Sequence, residues 1–332
     1  MLNETDILPP GLLEAKAEQL LELLGAPTLI HLEGENRQPL FISTLLHGNE
    51  TTGFYALQRL LQSYSNRPLP RSISLFIGNV GAAAVNLRRL DSQPDYNRIW
   101  PGSHHPDCAE TDMMKTVANI MRKRKPFASI DIHNNTGRNP HYGCVNILNA
   151  HCLQVASLFG DTVVYFTSPK GVQSAAFSDF CPSVVLECGQ SGEADGITHS
   201  RNFVQSVLEL DRIPGDHPSH IRLFHTVARV TVPEMYSLGA GGDTDIHLSH
   251  ELENRNFDEL RVGSVFASIK AHSGVHLLVT NESNEDVNDE FLEIVDDRIV
   301  LKKNVTLSMY TTDERAIRND CLCYLMEQIH IN

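Results

Sequence analysis

The chain has 332 residues, of which 41% are hydrophobic, and its formal net charge is −14 at pH 7. This length can hold one large domain or two, since single domains usually contain roughly 100–200 residues. The acidic balance argues against nucleic-acid binding, because contacts to phosphates require a clustered basic face.

The amino-terminal 25 residues predict neither a signal peptide nor a membrane span. They contain no basic n-region, no continuous apolar stretch and no small-residue cleavage site. The seven cysteines are scattered along the chain without any C-x-x-C pair, which fits a reducing compartment better than a disulfide framework. We therefore expect a cytoplasmic protein that does not bind membranes. The oligomeric state is left open, including a homo-oligomer.

Short apolar runs alternate with helical patterns through the first two thirds of the chain. Strands are predicted at 28–33, 40–47, 72–78, 128–133, 142–148, 162–167 and 183–187. Helices are predicted at 50–64, 111–125 and 198–212, with Thr198 as the N-cap of the last. This order is typical of an α/β fold with a mixed, mostly parallel sheet flanked by helices.

Beyond residue 221 the pattern changes to short alternating runs separated by polar turns, such as "LFHTVARVTV" and "RIVLKKNVTLSMY". This predicts a smaller, mostly β domain. We therefore divide the chain into an α/β domain at 1–215 and a β domain at 221–332, joined by a linker rich in Pro, Gly and His.

Four predicted strands end in a polar side chain. These residues are His47, Asn79, His133 and Glu187. In open α/β sheets the carboxyl ends of the strands line the ligand crevice, so groups that are far apart in sequence converge there. The sequence thus predicts a site at this edge of the sheet.

His47 and Glu50 are three positions apart, with Gly48 allowing a tight turn between them. At this spacing both side chains can face one metal ion, and His133 is placed to supply a third ligand. Two histidines and one carboxylate, with the fourth position left to water, form the ligand set of catalytic zinc hydrolases. The alternative is a hydrogen-bonded histidine beside a glutamate that favours the helix start through the helix dipole.

Two further carboxylates accompany this set. Asp131 lies two residues before His133, hence on the same face of the strand, and can orient that histidine as an acceptor. A buried aspartate bonded to backbone amides is the alternative. Glu187 follows an apolar run, where a carboxylate must be paired, near a metal or shifted in pKa.

Arginines gather in one loop-like segment of this acidic chain. Arg88, Arg89 and Arg98 lie there, beside Asn97. Because arginine binds carboxylates through two hydrogen bonds, this loop can hold an anionic substrate near the metal. Without the metal set these would be solvated surface arginines.

Four motifs, in this order, resemble those of the succinylglutamate desuccinylase and aspartoacylase family, relatives of the zinc carboxypeptidases. They are "LLHGNETTG", "DYNRIW", "DIHNNTG" and "VVLECGQSG". The segment "ENRNFDELRVGSVFASI" at 253–269 resembles the family's C-terminal β domain. The resemblance implies a zinc carboxypeptidase-like fold for the first domain.

The resemblance also implies roles for residues at matching positions. It implies one zinc ion per chain bound by His47, Glu50 and His133, with Glu187 as general base and acid. It implies that Asn97 and Arg98 hold a substrate carboxylate. An arginine before them, for which Arg88 and Arg89 are both candidates, polarises the scissile carbonyl.

The chain departs from the aspartoacylase branch at one further arginine, which in that branch shortly precedes the catalytic glutamate. No arginine lies between Arg138 and Arg201, and in the region shortly before Glu187 only Lys170 and Gln173 offer a polar side chain with the reach of an arginine. The missing arginine favours a desuccinylase over an aspartoacylase.

We expect the chain to remove an acyl group from an N-acyl amino acid in a zinc-dependent reaction. The expected substrate carries carboxylates and resembles N-succinylglutamate. Two alternatives remain open: a carboxypeptidase-like hydrolase of short peptides, and a zinc-containing ligand-binding protein without catalysis.

Overall fold

The computed structural model describes residues 1–239, 244–271 and 274–330, and the chain divides into two compact units. The first unit comprises Met1–Asn134 and His141–Ile221, and the second comprises Asn135–Pro140 and the chain from Arg222 onward. The division into separately folding domains at 1–215 and 221–332 stays a prediction.

The first unit contains a sheet of eight strands. They are β1 (Asn3–Thr5), β2 (Thr28–Leu32), β3 (Gly34–Thr44), β4 (Leu69–Ile77), β5 (Ala128–His133), β6 (Tyr142–Val145), β7 (Thr162–Tyr165) and β8 (Ser183–Glu187). Their order is β1-β2-β4-β3-β5-β8-β6-β7. Within this described unit, five of the seven strand pairs are parallel, while β2–β4 and β6–β8 are antiparallel.

Helices connect these strands and pack against the sheet. They are α1 (Leu20–Leu24), α2 (Thr52–Ser63), α3 (Val80–Ala83), α4 (Ala109–Arg124), α5 (Ala150–Ser157), α6 (Gln173–Ser178) and α7 (Ala194–Leu208), with a short 3₁₀ helix at Ala17–Gln19. The predicted N-cap at Thr198 is wrong, because α7 begins four residues earlier. The Thr198 hydroxyl donates to the Ala194 carbonyl within the helix, at 2.9 Å.

One buried cluster fixes the loop that follows α3. Trp100 is fully buried and presents its ring edge-on to Phe76 of β4 and to Phe177 of α6, with centroids 5.9 and 5.8 Å apart. Met114 and Met121 of α4 belong to the same cluster. Since burying a large aromatic side chain is strongly favourable, this anchor holds the preceding residues of the loop near the carboxyl ends of the strands.

The second unit is built mostly of antiparallel strands. They are β9 (Arg222–Thr231), β10 (Leu238–Gly239), β11 (Ile246–Leu248), β12 (Glu259–Leu260), β13 (Val265–Ile269), β14 (Leu278–Asn281), β15 (Leu292–Val295), β16 (Arg298–Leu301), β17 (Val305–Ser308) and β18 (Cys323–Ile329). It also contains α8 (Asn288–Phe291), α9 (Glu314–Asn319) and a 3₁₀ helix at His250–Arg255. One sheet runs β10-β11-β13-β16-β15, and β9-β18-β17-β12 form a second, with β14 on β9.

The predicted fold class is confirmed: a mixed, mostly parallel sheet with helices, followed by a smaller β unit. None of the helices in the described part of the chain is both long and apolar enough to cross a bilayer.

Candidate metal and catalytic centre

His47 and Glu50 lie in the turn between β3 and α2. The strand ends at Thr44, so His47 is three residues beyond it, after Leu45 in the left-handed region with a φ of 56°. Gly48 is required here, because a Cβ atom at that position would lie 2.2 Å from the Ala83 backbone nitrogen. The turn places His47 Nδ1 2.8 Å from Glu50 Oε1.

His133 joins this pair from the next strand of the sheet. It is the last residue of β5, which is parallel to β3, and its Nδ1 lies 2.7 Å from Glu50 Oε2. Donor atoms of His47, Glu50 and His133 all lie within 4.8 Å of one another, and all three residues are buried. The structure thus brings together the three predicted ligands.

A carboxylate stands behind each histidine. Asp95 Oδ1 lies 3.0 Å from His47 Nε2, and Asp131 Oδ2 lies 2.8 Å from His133 Nε2. Asp131 is fully buried, and its other oxygen accepts a hydrogen bond from Ser43 Oγ at 2.6 Å. A carboxylate that accepts from Nε2 keeps the proton there and leaves the Nδ1 lone pair free for a metal.

This donor set fits a zinc ion. Zinc takes imidazole nitrogen and carboxylate oxygen, and a catalytic site supplies three protein ligands. His47 Nδ1, the Glu50 carboxylate and His133 Nδ1 would hold the ion. The hydrogen-bonded carboxylates on the far side of both rings are what a zinc–histidine site requires, because they fix the ring orientation.

The charges around the centre are coupled. Burial disfavours the ionised carboxylate of Glu50, but His47 and His133 outweigh it and hold the pKa of Glu50 well below its usual range. Burial likewise lowers the pKa of His133, but Asp131 and Glu50 outweigh it and raise that pKa well above its ordinary value. The centre therefore pairs ionised carboxylates with a protonated His133, and a metal ion that binds there would have to displace the proton of His133.

Glu187 is the last residue of β8 and is buried. In the parallel pairing of β5 with β8 it stands directly opposite His133. Paired residues of adjacent strands point to the same face of a sheet. Glu187 therefore lies on the face of the sheet that carries His133. Its role as general base stays a prediction.

Asn97 lies against the centre. Its Nδ2 is 3.1 Å from His133 Nε2, and its Oδ1 accepts from the Gln173 backbone N–H at 2.9 Å. Gln173 is fully buried, and its Nε2 donates to Ser129 Oγ at 2.7 Å. The binding of a substrate carboxylate by Asn97 stays a prediction.

The three arginines of the loop take different positions. Arg88 Nε and Nη2 donate to Asp95 Oδ2 at 3.2 and 3.1 Å, and Arg88 Nη1 lies 3.5 Å from Glu50 Oε1. Arg89 Nη1 donates to the Gln93 carbonyl at 3.1 Å, and Arg98 Nη1 donates to the Asn97 carbonyl at 2.9 Å. Of the two adjacent candidates, Arg88 is the one that contacts Glu50.

Asp95 is the residue that sequence reasoning missed. It joins His47 to Arg88, and its Oδ1 also accepts the Asn97 backbone N–H at 2.8 Å. Burial disfavours its ionised form, but His47 and Arg88 outweigh that and hold its pKa well below the usual range. The available signal was its place in "DYNRIW", two residues before Asn97.

We expect Asp95→Asn to weaken zinc binding by about 10–100-fold, the usual effect of removing a carboxylate that orients a metal-bound histidine. The amide keeps the shape but cannot take the charge-assisted hydrogen bonds of His47 and Arg88. The measurement is a zinc titration against a competing chelator. Asp91→Asn, at an exposed position of the same loop, is the matched control, and equal zinc affinity in the two variants would exclude this role.

The family of the chain follows from one sequence comparison. Residues 36–210, more than half of the chain, match the model for the succinylglutamate desuccinylase/aspartoacylase catalytic domain. The chain belongs to this family. The matched range contains every residue of the centre described above, from His47 to Glu187. Members of the family hydrolyse amide bonds of acylated amino acids.

Solved structures resemble the chain over most of its length. The succinylglutamate desuccinylase from Chromobacterium violaceum shares 15% identity at a TM-score of 0.58, covering 91% of this chain and 89% of that one. Murine aminoacylase 3 shares 18% identity at a TM-score of 0.61, covering 89% and 96%. The succinylglutamate desuccinylase/aspartoacylase from Rhodobacter sphaeroides shares 14% at 0.60, covering 90% and 88%.

At this identity the structural matches show the fold, which is the predicted zinc carboxypeptidase-like fold. A search of curated proteins gives no significant match.

Proposed function

We propose that the chain is a zinc-dependent amidohydrolase that removes an acyl group from an N-acyl amino acid bearing carboxylates, such as N-succinylglutamate. The observation that carries the proposal is the convergence of His47 Nδ1, Glu50 and His133 Nδ1, each histidine backed by a carboxylate on Nε2. Membership of a family of acyl-amino-acid hydrolases gives the reaction class.

His47, Glu50 and His133 would hold the zinc ion, which would supply Lewis-acid polarisation of the scissile carbonyl and activation of a water molecule at neutral pH. The chain's own contribution begins with Glu187, whose carboxylate accepts the proton of the attacking water. As the new C–O bond forms and the C–N bond breaks, Glu187 returns this proton to the leaving amine nitrogen. The support for this assignment is the burial of Glu187 and its register opposite His133.

Arg88 would stabilise the negative charge that develops on the carbonyl oxygen. Two of its nitrogens donate to Asp95, which also contacts His47, so the guanidinium is oriented before substrate arrives. Preorganised donors of this kind need no rearrangement as charge develops. Arg98 and Asn97 are assigned to a substrate carboxylate, because planar guanidinium groups hold carboxylates through two hydrogen bonds.

We also infer a cytoplasmic location. The support is that all seven cysteines are unpaired and that six of them are buried, as expected in a reducing compartment.

Arg88→Lys and Arg89→Lys form a matched pair for testing this assignment. Lysine keeps the charge but loses the planar fork, so Arg88→Lys should lower kcat/KM for N-succinylglutamate by about 10–100-fold, the usual worth of charge-assisted hydrogen bonds. Arg89→Lys should have a much smaller effect, since Arg89 bonds a backbone carbonyl outside the centre. Zinc content should stay at one ion per chain in both variants.

The same assay, run on N-succinylglutamate and on its neutral analogue with all three carboxylates amidated, tests the substrate class. We expect the anionic substrate to be preferred by the wild-type chain. An equal loss of kcat/KM in Arg88→Lys and Arg89→Lys would show that Arg88 does not have its proposed role. Equal rates of hydrolysis of the acid and the amide would show that the chain does not select an anionic substrate.

A further inference from the structure

Of the four polar side chains predicted at strand ends, Asn79 is the one that takes no part in the proposed reaction. It lies two residues beyond the end of β4 and is buried. Its backbone N–H donates to the Leu45 carbonyl at 2.6 Å. Leu45 is the first residue of the β3–α2 turn (residues 45–50), which carries His47 and Glu50. Asn79 therefore contacts the turn that supplies two of the three predicted metal ligands.

The side chain of Asn79 caps α3. Its Oδ1 accepts a hydrogen bond from the Ala82 backbone N–H at 3.0 Å. Asparagine is a preferred N-cap residue, because its oxygen satisfies a backbone N–H that the first turn of a helix leaves unpaired. Asn79 Nδ2 has no hydrogen-bond partner within the described part of the chain. The cap is therefore the hydrogen bond that a shorter side chain would lose.

The capped helix packs directly against the β3–α2 turn. A Cβ atom at Gly48 would lie 2.2 Å from the Ala83 backbone nitrogen and 2.4 Å from the Ala82 carbonyl carbon. The backbones of α3 and of the turn are thus in contact at the residue that follows His47 and precedes Glu50 by two. A shift of α3 would change the support of the backbone between these two side chains.

The same helix also fixes the position of Arg88. The Ala82 carbonyl accepts from the Leu87 N–H at 3.0 Å, and the Arg88 carbonyl accepts from the Gly48 N–H at 3.0 Å. These hydrogen bonds form a closed circuit that runs from the β3–α2 turn through Asn79, α3 and Arg88 and back to the turn. The cap of Asn79 is the side-chain hydrogen bond in this circuit.

We propose that Asn79 is a positioning residue for the centre. By capping α3 it holds the β3–α2 turn, with His47 and Glu50, in a fixed position relative to Arg88. The inference rests on the proposed function, because it takes these three residues to be metal ligands and a carbonyl-polarising group. Such positioning matters because a displacement of about 1 Å, caused by a substitution remote from the reacting atoms, can lower a rate about 10²-fold.

Zinc affinity is the first readout, because it does not require turnover. It is measured on the full-length chain by titration against a competing chelator. Asn79→Ala should weaken zinc binding by about tenfold, the lower end of the usual effect of groups that orient metal ligands. Asn149→Ala is the matched control and should leave the affinity unchanged. Asn149 caps α5 in the same way, with Oδ1 2.8 Å from the Cys152 backbone nitrogen, but α5 contributes no residue to the centre.

Asn79→Ser separates the loss of the cap from the loss of side-chain volume. Serine is nearly as small as alanine but is as good an N-cap as asparagine, so it should restore most of the zinc affinity that alanine loses. Thermal unfolding of each variant is measured alongside. If Asn79→Ala does not fold, Asn79→Gly takes its place, because glycine lacks the acceptor but costs an N-cap position less stability.

The link to Arg88 is measured by a double-mutant cycle on N-succinylglutamate at saturating zinc. Asn79→Ala should lower kcat/KM by about tenfold in the wild-type background and by much less in the Arg88→Lys background. Two substitutions that act through the same guanidinium are not additive, whereas a purely structural role would give the same fold-loss in both backgrounds.

Equal zinc affinity in Asn79→Ala and Asn149→Ala would overturn the proposal, and so would an Asn79→Ser variant that binds zinc no better than Asn79→Ala. Equal fold-losses of kcat/KM in the two backgrounds would overturn the link to Arg88. A wild-type chain that binds zinc but does not hydrolyse N-succinylglutamate would contradict the proposed function, while the zinc comparison would still decide the role of Asn79.

Discussion

Replacing Glu187 with glutamine is expected to lower kcat by about 10²–10⁴-fold, the usual contribution of general acid–base catalysis, while zinc content stays unchanged. The amide has nearly the shape of the carboxylate, but it cannot accept the proton of the attacking water. Because Glu187 ends β8 opposite His133 and is not among the three predicted metal ligands, the substitution separates proton transfer from metal binding.

Turnover of N-succinylglutamate by Glu187→Gln is measured as release of the amine, and zinc is measured by atomic absorption. Glu193→Gln is the control, because Glu193 is exposed and precedes α7 a few residues further along the chain. A kcat close to that of the wild type would move the base to another carboxylate, of which Asp131 is the first to test.

His133→Ala is expected to reduce zinc occupancy from one ion per chain to a small fraction. The substitution removes one of three protein ligands and leaves Asp131 and Glu50 facing an empty volume. Two remaining ligands do not make a catalytic zinc site, which requires three. Zinc per chain, measured after dialysis, is the readout, and turnover should fall with it.

His104→Ala is the matched control for this variant, because His104 is exposed and lies outside the centre. Equal occupancy in His133→Ala and His104→Ala would show that His133 is not a ligand. Thermal unfolding of both variants separates loss of the metal from loss of the fold.

The convergence of His47, Glu50 and His133 could be predicted because it follows from local sequence. His47 and Glu50 are three residues apart around a glycine, and His133 ends a clearly apolar strand. Parallel pairing of β3 with β5 then brings the turn and the strand end together. Each step depends on spacing or on strand direction, both of which can be read from the chain.

Asp95 could not be predicted in the same way. It lies in a loop without periodicity, and its partner His47 is 48 positions away. For the same reason the sequence could not show which of Arg88 and Arg89 lies at the centre. Adjacent loop residues point in different directions, and these directions are set only when the loop folds. The buried Trp100, which anchors this loop, is the tertiary contact that sets those directions.

The start of α7 shows a second reason why a prediction from sequence can be wrong. Thr198 is a favoured N-cap residue type, yet it lies inside the helix, bonded to the Ala194 carbonyl. The residue at the actual N-cap is Glu193, whose side chain makes no capping hydrogen bond. Intrinsic capping preference is therefore overridden here by the packing of α7 against α2.

Hydrolysis of N-succinylglutamate by the same preparation, before and after removal of metal, shows whether catalysis by this chain depends on zinc. We expect turnover by the zinc-loaded chain, loss of turnover after dialysis against a chelator, and full recovery at one equivalent of zinc. N-acetyl and N-formyl amino acids should be hydrolysed more slowly under the same conditions. Turnover that persists at full rate in the metal-free chain would contradict a zinc-dependent hydrolase centred on His47, Glu50 and His133.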